Sequence, residues 1–164
     1  SKIAPTELDS WRRRLLQGEV HDENTFAMGG VAGHAGLFGT SGDLAIFCQM
    51  ILNGGVYDHH RVVFQSTLEK FTARQREPAN SSRALGWDTP SEGSSAGNLL
   101  SSNAFGHTGF TGTSIWIDPS RDLLMVLLTN RVHPSRKNNA MREFRRHFSD
   151  AVLKVIEASS KKHR

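Results

Sequence analysis

Apolar and polar positions follow different rhythms in different parts of the 164 residues. From Leu44 onward, Leu44, Phe47, Cys48, Ile51 and Leu52 recur with a helical period. Thr40 or Ser41 suits the N-cap of that helix and Asp43 its first turn. Asn53-Gly54-Gly55 then ends it with residues that tolerate positive φ. Near the C-terminus, Met141, Phe144, Phe148, Val152, Val155 and Ile156 predict an amphipathic helix over about 138–159. Two weaker patterns predict a short helix over Leu8 to Leu16 and another from Ser66 to about Gln75, where STLE fits a capping box.

Between these helices the rhythm changes. Leu123 to Leu128 is an unbroken apolar run and reads as a buried strand, extending to about Thr129. Residues 104–109 and 112–117 predict two strands before it, and Asp118-Pro119-Ser120-Arg121-Asp122 joins the last two as an antiparallel hairpin. Arg83 to Thr89 is a further short strand candidate, and the Ser-, Gly- and Asn-rich residues 90–103 read as a loop. Helices, then an antiparallel meander, then a long terminal helix predict an α+β domain with helices flanking a sheet. At this length the chain is expected to form one domain, 1–164.

Composition narrows the classes. Hydrophobic residues make up 37% and charged residues 22%, as in ordinary globular chains. No apolar run approaches the roughly 20 residues needed to cross a bilayer. The polar start at Ser1, without Met, is expected of a piece of a longer chain, which leaves the compartment open. One cysteine, Cys48, excludes an internal disulfide framework, and its neighbours Ile46, Phe47, Met50 and Ile51 predict a buried thiol. The net charge of +4 comes partly from Trp11 to Arg14, Arg142 to Arg146 and the basic tail 161–164. The first two are expected to be solvated helix faces and the last a frayed end. Without interleaved aromatics, they do not predict a nucleic-acid partner.

Several chemical motifs carry little. Gly93-Ser94-Ser95-Ala96-Gly97 matches G-x-S-x-G, but it lacks the strand before and helix after that a nucleophile elbow requires. His21, Asp22 and Glu23 are adjacent and point in different directions, and His59-His60 has no partner at helical spacing. No metal site is expected from them, nor any cofactor; His21-Asp22 is left as a pair that could orient a loop.

The stretch GHTGFTG, Gly106 to Gly112, carries more. On a strand, His107 and Gly109 share one face while Thr108 and Phe110 share the other. A glycine at 109 would let a substrate backbone lie along the strand edge, and the Phe110 amide could then face a developing oxyanion. A glycine-rich strand start with a satisfied histidine fits the local chemistry equally well. The second glycine-dense segment, Gly29 to Asp43, is a tightly turned loop whose backbone must approach something closely.

Together, GGVAGHAGLFGTSGDLAIFCQMILNGG and FGHTGFTGTSIWIDPSRDLLMVLLTNR resemble the serine β-lactamase-related family. That family includes class C β-lactamases, D-alanyl-D-alanine peptidases and related esterases. GHTG matches the histidine form of the family's third motif, K-T-G or H-x-G on an inner strand, and the likeness runs from about Ile3 to Ile156. The resemblance implies that His107, Thr108 and Gly109 bind substrate, with His107 and Thr108 bonding a carboxylate or carbonyl. It further implies that the backbone N–H of Phe110 is half of an oxyanion hole.

The family's other motifs are not matched. The only S-x-x-K is Ser159 to Lys162, and Tyr57, the sole tyrosine, is not followed by the Y-x-N pattern. The chain is therefore expected to be the C-terminal half of such an enzyme, inactive alone, acting with a complementary N-terminal half on a small-molecule or peptide substrate. A non-catalytic binding or assembly module, homo-oligomeric through an exposed sheet edge, is the alternative.

Overall fold

In the computed structural model, residues 3–162 are described. The sheet is a three-stranded antiparallel meander of β5 (Phe105–Thr108), β6 (Ser114–Asp118) and β7 (Leu123–Leu127) in that order. Before it come the hairpin strands β1 (Leu8–Asp9) and β2 (Arg14–Leu15) and the helices α1 (Glu23–Ala27) and α2 (Ser41–Leu52). The small hairpin β3 (Val56–Tyr57) and β4 (His60–Arg61) and helix α3 (Gln65–Thr72) follow, and α4 (Met141–Lys162) closes the chain.

Strand alternation gives the sheet two apolar faces. Pairing Ile117 with Leu124 and Ile115 with Val126 builds one face, which together with Phe105 packs on Cys48 and Ile51 of α2 and on Leu68 of α3. Trp116, Met125 and Leu123 form the other face, packed on Ala96, Leu100 and Val152 of α4. The sheet is thus a middle layer between helices, the α+β arrangement predicted. Cys48 is fully buried in the first layer, and burial pushes its thiol up to about 11.

The best-determined helix is α2. Thr40 caps it, accepting from Asp43 N while the Asp43 carboxylate accepts from Thr40 N, a reciprocal capping box. It ends at Asn53, where Gly54 and Gly55 take positive φ. At the β6–β7 connection, Pro119–Arg121 forms a 3-10 turn capped by Asp118.

Four expectations are corrected. Leu8 to Leu16 is a hairpin, not a helix. The Asp9 carboxylate takes Arg12 N, while the Arg12 guanidinium is spent on the carbonyls of Val20 and His21. These local side-chain bonds outcompete a helical ladder. Arg12 therefore belongs to no solvated basic face, with only 3% of its side chain exposed. The Ser66 capping box does not form, because α3 starts at Gln65, whose side chain holds Glu69 one turn ahead. Arg83 to Thr89 is a tight turn in place of a strand, closed by Ala84 N to Trp87 O and leaving only single-residue bridges. His163 and Arg164 of the basic tail lie outside the described residues, while Lys161 and Lys162 continue α4.

Candidate active site

GHTGFTG runs off the end of β5 into the turn 109–113. Gly106 exchanges both backbone bonds with Asp88 on the outer side of β5, Asp88 N to Gly106 O at 2.7 Å and Gly106 N to Asp88 O at 2.9 Å. By antiparallel alternation the backbone groups of Thr108 face that same outer side. Gly109 keeps the alternation, since its N–H turns inward to Thr113 O at 2.8 Å.

His107 is exposed on β5. Its Nδ1 is 2.9 Å from Thr108 O and its Nε2 is 3.1 Å from Arg83 Nη1. A guanidinium can only donate, so Nε2 accepts and Nδ1–H donates to the carbonyl, which assigns the neutral Nδ1–H form. Thr108 is half-buried and pairs with Ser114. The missing side chain of Gly109 is explained from inside the protein: a Cβ there would run into Thr113 Oγ1. Gly112, at φ +124°, would run into Thr129 Oγ1 and the Arg131 amide.

The carbonyls of this turn are all held. Gly109 O accepts from Arg145 Nη2 at 2.8 Å, and Phe110 O accepts from Arg131 Nε at 2.7 Å. Thr111 O accepts from Arg131 N at 2.8 Å, and Gly112 O accepts from the Thr129 hydroxyl at 2.7 Å. Thr113 O takes both Gly109 N and Arg145 Nη2. The N–H groups of Phe110 and Thr111, by contrast, have no acceptor among the described residues. Seven hydrogen bonds from the protein, counting Gly112 N to Gly109 O at 3.2 Å, fix the acceptor side of the loop while these two donors remain open, an arrangement able to receive a negatively charged oxygen.

The Phe110 ring lies against a second cluster. It stacks on His21 with centroids 5.6 Å apart, and the guanidiniums of Arg131 and Arg136 lie 4.4 and 5.7 Å from its centre. Beneath it, the Glu7 carboxylate takes His21 Nε2 at 2.8 Å and Arg136 Nη2 at 2.7 Å, and Arg136 also reaches Glu23 at 2.7 Å. Arg136 and, after the opposing effect of burial, His21 hold the Glu7 carboxyl down to about 2. Glu7 and Glu23 in turn push the Arg136 guanidinium further up. The neighbours in His21-Asp22-Glu23 do separate. Asp22 caps α1 through Thr25 N and also contacts His34, and these bonds lower its carboxyl to about 2.

Sequence reasoning missed Arg83, Arg131, Arg145, Glu7 and Arg136. For Arg145 a signal was present. It falls on the stripe Met141, Arg145, Ser149, Leu153, every fourth residue of α4, and all four are buried. The expectation of a solvated basic face over Arg142 to Arg146 is corrected at this residue, which is only 9% exposed. Burial lowers its affinity for a proton, with the nearby Arg131 charge adding to the effect.

The G-x-S-x-G stretch is a loop in which Ser94 Oγ accepts from Ser91 N and Ala96 N, with no strand leading into it. Among the described residues, no group of three or more His, Cys, Asp or Glu is placed to hold a metal ion. A shallow hollow of 460 Å³ beside Val20, Phe26, Gly29 and Phe38 shares no residue with the 109–113 turn. We assign the candidate site from the backbone geometry of that turn.

Residues 4–148 match the family described as Beta-lactamase. A protein of Escherichia coli (strain K12) named "Putative D-alanyl-D-alanine carboxypeptidase" is 41% identical over 126 residues, 74% of this chain and 29% of its own length. A protein of the same name from Salmonella newport (strain SL254) matches to the same extent. The chain thus spans less than a third of the length of these relatives. The crystal structure of a β-lactamase from Mycobacterium bovis superposes with a TM-score of 0.58 at 26% identity, over 73% of this chain and 45% of that one. The fold, the family match and the relatives agree: this chain belongs to the β-lactamase family.

Proposed function

We propose that the chain forms one wall of the active site of an acyl-enzyme serine hydrolase acting on D-alanyl-D-alanine-type peptides, with β-lactams and esters as related acyl donors. The observation that carries this reading is the open amide of Phe110 in a turn whose carbonyls are all tied to the protein. In such a reaction a serine Oγ attacks the substrate carbonyl, charge collects on its oxygen, and the amine leaves as the carbonyl re-forms. Phe110 N–H would donate to that oxygen. Thr108, whose backbone faces the outer side of β5, and the His107–Arg83 pair beside it would bind the substrate's carbonyl and carboxylate, with Gly109 holding the turn against Thr113. The only S-x-x-K, Ser159 to Lys162, lies at the C-terminal end of α4 and not at a helix start, so this reading takes its nucleophile from outside these 164 residues.

The longest natural protein containing this chain should gain the mass of one intact penicillin per molecule after incubation with benzylpenicillin, and should release D-alanine from a D-alanyl-D-alanine peptide. The 164-residue chain alone should gain none. A longer protein that stays unmodified and releases no D-alanine contradicts the reading.

A second reading, assembly through an open sheet edge, is supported by β7. It pairs only with β6 among the described residues, which leaves its outer edge without a strand partner there. Light scattering of the chain should then give a dimer mass or higher; a monomer at all concentrations removes this reading.

A further inference from the structure

The Gly109–Phe110 peptide is a single conjugated unit. Its N–H is the open donor described above, and its carbonyl oxygen accepts from Arg145 Nη2 at 2.8 Å. A cation hydrogen-bonded to an amide oxygen draws electron density toward that oxygen and leaves the N–H of the same peptide a stronger donor. Arg145 is well placed for this. It is 9% exposed, so little water screens its charge, and its Nε has no hydrogen-bond partner among the described residues. No carboxylate among the described residues forms an ion pair with it, and the Arg131 cation adds to the effect of burial in lowering its affinity for a proton. A buried, uncompensated guanidinium is costly to a fold and would be replaced at little loss by an apolar side chain if packing were its only role.

We propose that Arg145 is a positioning residue for acyl transfer: through the Gly109 carbonyl it orients and polarises the Phe110 N–H that receives the oxyanion. This rests on the reading of Phe110 given under Proposed function. The second bond from the same Nη2, to Thr113 O at 2.7 Å, locks the geometry by joining the two ends of the turn.

The test compares Arg145→Lys, a cationic donor, with Arg145→Gln, a neutral donor, in the longest natural protein containing this chain. Melting curves verify that each is folded, and Arg145→Met replaces Arg145→Gln if the latter does not fold. With benzylpenicillin, the neutral variant should acylate about tenfold more slowly at saturation, with its half-saturating concentration within about threefold of wild type. Arg145→Lys should recover most of the rate. A purely structural fork would not be rescued by lysine, so equal rates in the cationic and neutral variants overturn the proposal while normal wild-type acylation leaves the site reading standing. A wild-type protein that forms no acyl-enzyme overturns both.

Discussion

Replacing Glu7 by glutamine should destabilise the protein by about 3 kcal/mol at neutral pH, and the penalty should shrink as the pH falls. Glu7 is 6% exposed and joins three separate parts of the chain: its own segment, His21, and Arg136 beyond the sheet. A carboxyl held at about 2 in place of its usual 4.5 contributes on the order of 3 kcal/mol to the folded state. Because the folded value is the lower one, that contribution is complete above about 4.5 and is lost as the pH drops toward 2. Urea unfolding of wild type and Glu7→Gln at pH 7 and pH 3 measures the difference. A gap between the two proteins that is the same at both pH values would show that charge is not what Glu7 supplies. The change should also loosen His21, and with it the stacking partner of Phe110.

Asp118→Ala should be at least as damaging, costing about 3–4 kcal/mol. Its side chain is fully buried at the end of β6, where one oxygen accepts from Ser101 Oγ at 2.6 Å and Ser120 N at 3.1 Å. The other accepts from Ser101 N at 3.0 Å and Arg121 Nη1 at 2.8 Å. Burial alone would raise this carboxyl, but the Ser101 and Arg121 bonds outweigh it and hold it below the usual range. One residue thus ties the loop before β5 to the turn after β6, and alanine leaves those donors without an acceptor. Asn at 118 keeps the shape and part of the bonding and should fall between wild type and alanine. Thermal melts rank the three, and limited proteolysis within 90–103 should quicken in the same order. An Asp118→Ala protein that melts within a degree or so of wild type would contradict this assignment.

Much of this architecture was legible because it is local. The α2 cap, the Asn53-Gly54-Gly55 stop, the meander and the presence of α4 all follow from residues within one or two turns of one another. The predicted α4 stripe is corrected: Phe144, Val155 and Ile156 stand exposed, and the buried face is Met141, Arg145, Ser149 and Leu153. The illegible parts depend on partners far apart in sequence. Arg136 meets Glu7 across 129 positions, and no periodicity announces such a pair. Leu8 to Leu16 misled because the competitor to helix was Arg12, whose targets at Val20 and His21 lie beyond the window that a helical pattern samples. At the site, His107 and Phe110 stood out through the glycines around them. The arginines holding the turn did not, since an arginine in a basic run looks the same whether it faces water or, like Arg145, the interior.

The most direct measurement is the structure of the benzylpenicillin adduct of the longest natural protein containing this chain. The acyl carbonyl oxygen should lie about 2.9 Å from Phe110 N, with the turn carbonyls still on Arg131 and Arg145. An adduct whose carbonyl oxygen sits more than about 4 Å from that amide would contradict the account, since no hydrogen bond spans such a gap.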